Sequence, residues 1–234
     1  MSEIFVFSKA QLKVLLKGSG YDSVMGLNLG NEPLDDITVL NALNTLLRNG
    51  SISLEDNNYK ASLQTEKIIS TIGKSESCCF IHSNNTELPD MCCFFGDELL
   101  ICTTRNGDAN HFSFFFESLS GLYELISEDS YLPQGKSDIQ MDEAELELFE
   151  SSLTDIKASE KIDQSSAVCF SLEMPGDKSE KYMRIINYYF YSYILYSDGE
   201  DKKRVEYSPE TAKKILVYIM EKKNDNCGNL CTLN

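Results

Sequence analysis

The apolar positions near the start of the chain predict two amphipathic helices. The first carries its apolar residues at the i, i+3, i+4 spacing of a buried helix face: Leu12, Leu15 and Leu16. Ser8 precedes them and can cap that helix. The second set also lies on one helical face: Ile37, Leu40, Leu43, Leu46 and Leu47. Asp35 or Asp36 can cap this second helix, and Gly50 supplies its stop.

Short alternating segments follow the second helix. Residues 51–54 and 59–63 flank the polar turn Glu55-Asp56-Asn57-Asn58, which predicts a hairpin, and residues 67–72 continue as a helix. This order of helix, loop, helix ending in Asn-Gly, hairpin and helix resembles a winged helix. The passage from the second long helix of that fold into its wing is similar to the string LLRNGSISLEDNNYKAS. The resemblance covers residues 3–73 and implies DNA binding.

The charges of this segment argue against DNA recognition. A reading helix needs Arg, Lys, Asn or Gln toward the groove and cations for the phosphates. Along the second predicted helix the only cation is Arg48, and the hairpin offers Lys60 beside Glu55 and Asp56. We therefore expect a packing or protein-contact role for the segment. A winged-helix transcriptional regulator with a C-terminal sensing or dimerisation domain is the alternative.

From residue 76 onward the pattern changes to short strands rich in aromatic and β-branched residues. A first run of four predicted strands covers residues 77–83, 91–95, 99–104 and 110–117, and a helix capped by Ser118 follows. The same order returns over residues 167–173, 182–187, 189–196 and 204–207, and Ser208-Pro209 starts another helix. Asn106-Gly107 and Asp198-Gly199 supply corresponding hairpin turns. We interpret the two runs as a tandem duplication with a period of about 90 residues.

The sequence therefore predicts an α+β protein. A small winged-helix-like N-terminal module precedes a pseudo-duplicated antiparallel sheet-plus-helix body. The expected boundaries are residues 1–74 for the module, 75–129 for the first repeat, 130–164 for a linker with an amphipathic helix over 141–153, 165–223 for the second repeat, and 224–234 for a flexible tail.

Composition and charge narrow the functional classes. A hydrophobic content of 42% is enough for a folded core, and a net charge of −16 over 234 residues disfavours a nucleic-acid surface. Residues 1–74 hold 7 Lys+Arg and 8 Asp+Glu, so nearly all the acidity lies in the remainder. The first residues show no pattern of an export signal, and the sequence contains no uninterrupted apolar run of about 18 residues, so we expect neither an export signal nor a membrane span. We expect a cytoplasmic protein without a membrane span, whose eight cysteines are reduced thiols.

No set of residues identifies a reaction. Cys78-Cys79 and Cys92-Cys93 fall on predicted strands, where neighbouring side chains point to opposite faces, so adjacent thiols cannot share a metal without distortion. We expect these cysteines and Cys102 to be buried apolar side chains. The two histidines, His82 and His111, lack a recognisable nucleophile motif around them, and an enzyme would need one of them in a cleft. We expect no catalytic residue, no cofactor and no metal.

Aromatic clusters suggest a contact surface. Residues 112–116 and 188–193 place large rings on both faces of a sheet. Either helices cover both faces, or a Tyr-rich surface contacts a partner, which suits Tyr because its ring buries area while its hydroxyl stays hydrated. Tyr188, Tyr191 and Tyr193 are the candidate partner-binding residues.

The layout of residues 75–223, with two quasi-equivalent halves of sheet and helix, resembles the EspG-like chaperones of type VII secretion systems. The Asn, Ile and Lys usage resembles that of a low-GC bacterium. The resemblance is one of layout, so it transfers no binding residue. It implies a non-enzymatic cytosolic factor, a chaperone or adaptor that keeps a secretion substrate soluble before export. Its partner would be another protein.

Overall fold

The computed structural model describes residues 3–105, 108–133, 168–175, 181–188 and 191–221. Its strands are β1 (Phe5–Ser8), β2 (Ile52–Glu55), β3 (Asn58–Ala61), β4 (Cys78–Ser83), β5 (Met91–Phe95), β6 (Leu99–Arg105), β7 (Asp108–Glu117), β8 (Val168–Met174), β9 (Lys181–Tyr188), β10 (Tyr191–Asp198) and β11 (Lys202–Glu206). Its helices are α1 (Lys9–Gly18), α2 (Asp36–Arg48), α3 (Leu63–Lys74), α4 (Leu119–Glu128) and α5 (Pro209–Glu221). The chain divides into two compact units. One comprises the residues up to Phe80 together with Pro89–Ser118, and the other comprises Ile81–Leu88 and the residues from Leu119 onward.

The first unit is built on strands in the order β1-β7-β6-β5-β4. Strand β1 pairs antiparallel with β7, so that Phe7 lies opposite Phe112. Because strand side chains alternate between faces, the buried residues Cys92, Cys102 and Phe114 form one row across three strands. This face contributes to one core together with the apolar residues of the helices, including Leu12, Leu16, Leu46, Ile68, Ile69 and Ile72.

Local capping signals place the helix starts. The Ser8 side chain accepts from the Gln11 backbone N–H and the Gln11 side chain accepts from the Ser8 N–H, which is a capping box at the start of α1. Asp35 caps α2 by accepting from the Thr38 N–H at 2.7 Å. Both predicted starts are confirmed. Helix α3 begins four residues earlier than predicted because Ser62 caps it.

The predicted hairpin is present as the two-stranded sheet β2-β3. Asp56 and Asn57 both have positive φ, 49° and 63°, which is the two-residue turn whose twist suits a hairpin. Strand β1 is not part of this small sheet, because it pairs with β7 instead. The helix, hairpin and helix follow the order of a winged helix, but this order does not establish that fold.

The second unit contains the strand order β8-β9-β10-β11, followed by α5. The end of β4 also belongs to it, and the Asn84 N–H that follows donates to the Cys169 carbonyl of β8 at 3.0 Å. Ser208 caps α5 by accepting from the Thr211 N–H at 3.1 Å, as the Ser208-Pro209 signal predicts. The Tyr207 hydroxyl donates to the Pro133 carbonyl at 2.6 Å, and burial raises the pKa of Tyr207 to about 12.

The chain is thus an α+β protein with antiparallel strands, as predicted. Strands β4 to β7 and β8 to β11 are each ordered as a meander and each precede a helix, an order that a duplication requires. The duplication itself stays a prediction. The predicted turn Asn106-Gly107, the predicted helix over residues 141–153 and the predicted tail over residues 224–234 lie outside the described residues. No helix in the described part of the chain is both long and apolar enough to cross a membrane.

Candidate functional site

The predicted tyrosine contact residues lie around the β9–β10 hairpin. Tyr188 pairs with Tyr191 at the end of the ladder, and the side chains of both lie outside the described part of the structure. Tyr193 is 0% exposed and lies opposite Ile186 in β9. Its ring therefore packs inside the protein in this conformation. The tyrosine contact surface stays a prediction.

The six described cysteines are free thiols and all are buried. The Cys78 and Cys92 thiols are hydrogen-bonded to each other, and this bond, with burial as the second cause, raises the pKa of Cys92 above its ordinary value. Burial also raises the pKa of Cys93 to about 12. Among the residues that the structure describes, no cluster of three or more His, Cys, Asp or Glu could hold a metal ion. The thiols are therefore best described as parts of the core.

Both histidines are exposed on strands. His82 lies on β4, and His111 lies on β7 with its Nδ1 2.8 Å from an Asp108 carboxylate oxygen. The His111–Asp108 pair lies on an open strand surface, with side chains that are 51% and 39% exposed. A general acid or base that acts in a water-excluded cleft is instead shielded from solvent. We assign neither histidine a catalytic role.

Large exposed apolar side chains indicate where this protein could contact another. In the described residues these are Ile4, Val6, Met25, Ile37, Leu40, Leu54, Tyr59, Leu63, Phe80 and Tyr218. Nine of the ten belong to the first unit, and five of those fall between residues 37 and 63. Grouped exposed apolar residues mark interaction sites more often than scattered ones do. The candidate contact residues therefore lie in the N-terminal part of the chain.

Helix α2 exposes one apolar pair. Ile37 is 73% exposed and Leu40 is 58% exposed, whereas Ala42 and Leu46 on the inner side are buried. The i, i+3 spacing places Ile37 and Leu40 together on the helix surface. We call these two residues the α2 pair. Exposed apolar residues do not improve solubility, so these two positions are candidates for contact with another protein.

The β2–β3 hairpin exposes a second apolar pair. Leu54 lies directly opposite Tyr59, and the two side chains are 56% and 52% exposed. On the same hairpin face, two residues toward the base, Ile52 is 5% exposed. The apolar face of the hairpin is thus buried at its base and open near its tip. We call Leu54 and Tyr59 the hairpin pair.

The other face of the hairpin is polar. Lys60 Nζ lies 3.2 Å from a Glu55 carboxylate oxygen, and the Ser53 hydroxyl donates to the other Glu55 oxygen at 3.1 Å. The hydrogen bond from Lys60, followed by that from Ser53, holds the pKa of the Glu55 carboxyl below its ordinary value. The hairpin therefore presents one charged face and one apolar face, as a contact element does.

The hairpin pair and the exposed side of α2 are not among the contact residues predicted from the sequence. The alternation Ile52-Ser53-Leu54 placed Ile52 and Leu54 on one face, which was a usable signal. The alternation does not predict how deeply each residue is buried. Tertiary packing decides that Ile52 is covered and that Leu54 stays exposed. The contact residues predicted from the sequence, Tyr188, Tyr191 and Tyr193, belong to the second unit.

Comparisons with known proteins show a likeness to a solved structure. No known protein family matches the sequence, and no curated protein matches it. The fold is similar to that in the solved structure of the Mycobacterium tuberculosis type VII secretion system chaperone EspG5 in complex with the PE25-PPE41 dimer. The match covers 94% of this chain and 96% of that chain, at a TM-score of 0.56 and 7% sequence identity. At this identity the likeness shows the fold, and no residue can be transferred.

Proposed function

We propose that this protein is a non-enzymatic, cytoplasmic protein-binding factor, an EspG-like chaperone or adaptor for a type VII secretion substrate. The observation that carries the proposal is the fold likeness to EspG5, which extends over nearly the whole length of both chains. That structure is described as a chaperone in complex with a protein dimer. A protein partner is therefore the class of ligand that the fold likeness favours for this chain.

The exposed apolar residues of the first unit support a protein-contact role. The α2 pair and the hairpin pair place four large apolar side chains in water, each more than half exposed. Burying such side chains against a partner is favourable by roughly 25 cal/mol for each Å² of apolar surface removed from water. A few such residues dominate the energy of a typical interface. Tyr188 and Tyr191 are the further contact residues that we propose from the sequence, together with Tyr193 if its packing opens.

The charge distribution suits a carrier. The net charge is −16, and residues 75–234 carry 14 Lys+Arg against 29 Asp+Glu. A strongly charged body keeps a complex soluble and disfavours acidic partners. The N-terminal segment, in contrast, is nearly neutral, so it does not repel a partner that carries acidic residues. We propose that the chain is organised in the five segments predicted from the sequence, from the N-terminal module to the tail. This organisation separates a charged body, which keeps the complex soluble, from a nearly neutral segment, which contacts the partner.

Co-expression tests this function. Small helical proteins encoded next to this chain are expressed alone and together with it, and the soluble fraction of each is measured. We expect the chain to raise the soluble fraction of one of them and to co-elute with it in gel filtration. A Leu54→Ser/Tyr59→Ser variant should lose this effect, and an Ile4→Ser/Val6→Ser variant, which removes exposed apolar residues elsewhere, should keep it. Equal solubility with and without the chain for every neighbour would overturn the proposal.

A transcriptional regulator is the second candidate. The observation that favours it is the outer side of α2, where Asn41, Asn44 and Arg48 are exposed and the hairpin follows as a wing would. Asn and Arg are residues that read base edges. The helix begins, however, with the carboxylates of Asp35 and Asp36, which phosphates repel. A mobility-shift assay separates the two candidates.

A further inference from the structure

The first unit contains a cavity that the contact residues above do not explain. It has a volume of about 760 Å³ and lies between α1, the loop over residues 19–35 and the first turn of α2. Small-molecule sites usually have volumes of about 300–1,000 Å³. The cavity is therefore large enough for a ligand of modest size.

Three contacts hold the loop that forms the outer wall. The Tyr21 ring lies against Gly73 of α3, where an added Cβ would meet ring atoms at 2.4 Å. Gly26 lies on the Cys92 and Cys78 thiols, where a Cβ would be 2.7 Å and 3.0 Å from the two sulfurs. The cavity is thus framed by a loop that is fixed on helix α3 and on the sheet. A fixed wall means that a ligand need not order the loop to bind.

One wall of the cavity is cationic. Lys13 and Lys17 of α1 line it at a spacing of one helical turn. The Lys13 ammonium donates to the Glu32 carbonyl at 2.7 Å, which joins α1 to the loop. Lys9, one turn earlier, continues the line, and its Nζ lies 3.6 Å from where a Gly30 Cβ would be. Three ammonium groups therefore follow the same side of α1.

The remaining lining combines apolar side chains with the polar residues Ser23, Asn28 and Asn31. The apolar side chains that line the cavity include Val14, Val24, Leu27, Leu29, Leu34 and Val39. The acidic residues Asp22 and Glu32 also line it, and both lie on the loop and not on α1. Positive charge is thus concentrated on one wall, and the apolar side chains provide the surface that an uncharged ligand body would contact.

We propose that this cavity binds an anionic amphiphile, a long-chain carboxylate with its head group at the lysines of α1 and its apolar chain among the valines and leucines. A carboxylate can accept from two ammonium groups one helical turn apart. An apolar chain that leaves water for this lining gains the hydrophobic contribution. A neutral ligand would leave the cationic wall unused, and a highly charged one would not match the apolar lining. The site is independent of the protein partner proposed above.

A fluorescent fatty acid tests the site. The full chain is titrated with a dansyl-labelled undecanoic acid, whose emission rises and shifts to the blue in an apolar environment. We expect saturation at one site for each chain, weaker binding as salt increases, and displacement by hexadecanoate but not by hexadecanol. The absence of saturable binding, or equal displacement by the uncharged alcohol, would overturn the proposal.

Charge variants locate the site. Lys13→Glu/Lys17→Glu should weaken probe binding by about tenfold or more, which corresponds to about 1.4 kcal/mol or more. Lys13→Gln/Lys17→Gln is the second variant, in case the charge reversal disturbs folding, and circular dichroism monitors both. Lys60→Glu changes an exposed lysine on the hairpin and serves as the matched control, with unchanged binding. Equal probe affinity in the folded Lys13/Lys17 variants and the control would contradict the site, as would loss of binding in Leu54→Ser/Tyr59→Ser.

Discussion

Leu54 and Tyr59 face each other across the β2–β3 hairpin and remain 56% and 52% exposed, although Ile52 on the same face is buried. This pair contributes less to folding than a buried pair does, because more than half of each residue's surface stays in water. Leu54→Ser/Tyr59→Ser should therefore change the free energy of unfolding by no more than about 1 kcal/mol while abolishing partner binding. Urea unfolding and binding measurements on the same protein check both parts.

The buried neighbour supplies the contrast. Ile52→Ala should cost about 2 to 5 kcal/mol of unfolding free energy, because it removes a buried side chain and leaves a cavity. If the exposed pair cost as much stability as Ile52, the pair would be part of the core and its role as a contact would be wrong.

DNA binding should be absent or weak. The N-terminal segment has 7 Lys+Arg against 8 Asp+Glu, and Arg48 is the only cation along α2. Few phosphate contacts release few counterions, so any binding should fall only slightly as salt rises. In a mobility-shift assay with double-stranded DNA, Arg48→Ala should change nothing. Tight binding with a steep salt dependence, reduced by Arg48→Ala, would favour the regulator.

Gly26 should be required by packing as well as by backbone conformation. Gly20 and Gly26 have nearly the same positive φ, 85° and 84°, but only Gly26 is in contact with the Cys78 and Cys92 thiols. Gly20→Ala should therefore show the backbone strain alone, about 1 kcal/mol. Gly26→Ala should add an overpacking cost of about 1 to 3 kcal/mol. Equal loss of unfolding free energy in the two variants would show that the loop does not press on the thiols.

Stability should decrease at alkaline pH because of buried thiols. Burial raises the pKa of Cys93 from 9.0 to about 12, so its contribution is complete below pH 9.0 and is lost as the pH rises toward 12. Each such group lowers the unfolding free energy by about 1.4 kcal/mol per pH unit in this window. Cys93→Val should make the decline less steep than in the wild type, measured by urea unfolding at several pH values. Parallel curves would show that Cys93 ionises equally in the folded and unfolded chain.

Local signals in the sequence were sufficient for three of the helix starts. Ser8, Asp35 and Ser208 each cap the helix predicted to follow, because a cap is a hydrogen bond to a backbone N–H a few residues ahead. The hairpin turn at Asp56-Asn57 was local in the same way. Ser62 is a cap of the same kind for α3, although the helix predicted from the sequence begins four residues later.

Long-range pairing was not predictable in this way. Strand β1 pairs with β7 more than a hundred residues later in the chain. The four residues of β1, which end at the helix cap Ser8, carry no signal of that partner. The same limitation applies to Tyr193. Its strand is rich in large rings on both faces, so only the register against β9 shows that its side chain is buried.

Locating the candidate contact residues requires knowing which apolar side chains are buried, in addition to the sequence pattern. The layout of sheet and helix predicted from the sequence agrees with the fold likeness to EspG5, but neither one identifies a contact residue. The exposed and buried residues of α2 could not be told apart from the sequence, because Leu40 and Leu46 are both leucines of the predicted apolar face. In the structure Leu40 is 58% exposed and Leu46 is 0% exposed.

The most direct test of the account is the molar mass, by light scattering, of this chain mixed with the helical proteins encoded beside it. We predict a stable complex with one of them whose mass is the sum of its components, and loss of that complex when Leu54→Ser and Tyr59→Ser are combined with Ile37→Ser and Leu40→Ser. Separate elution of the chain and every neighbour, or a complex unchanged by the four substitutions, would contradict it.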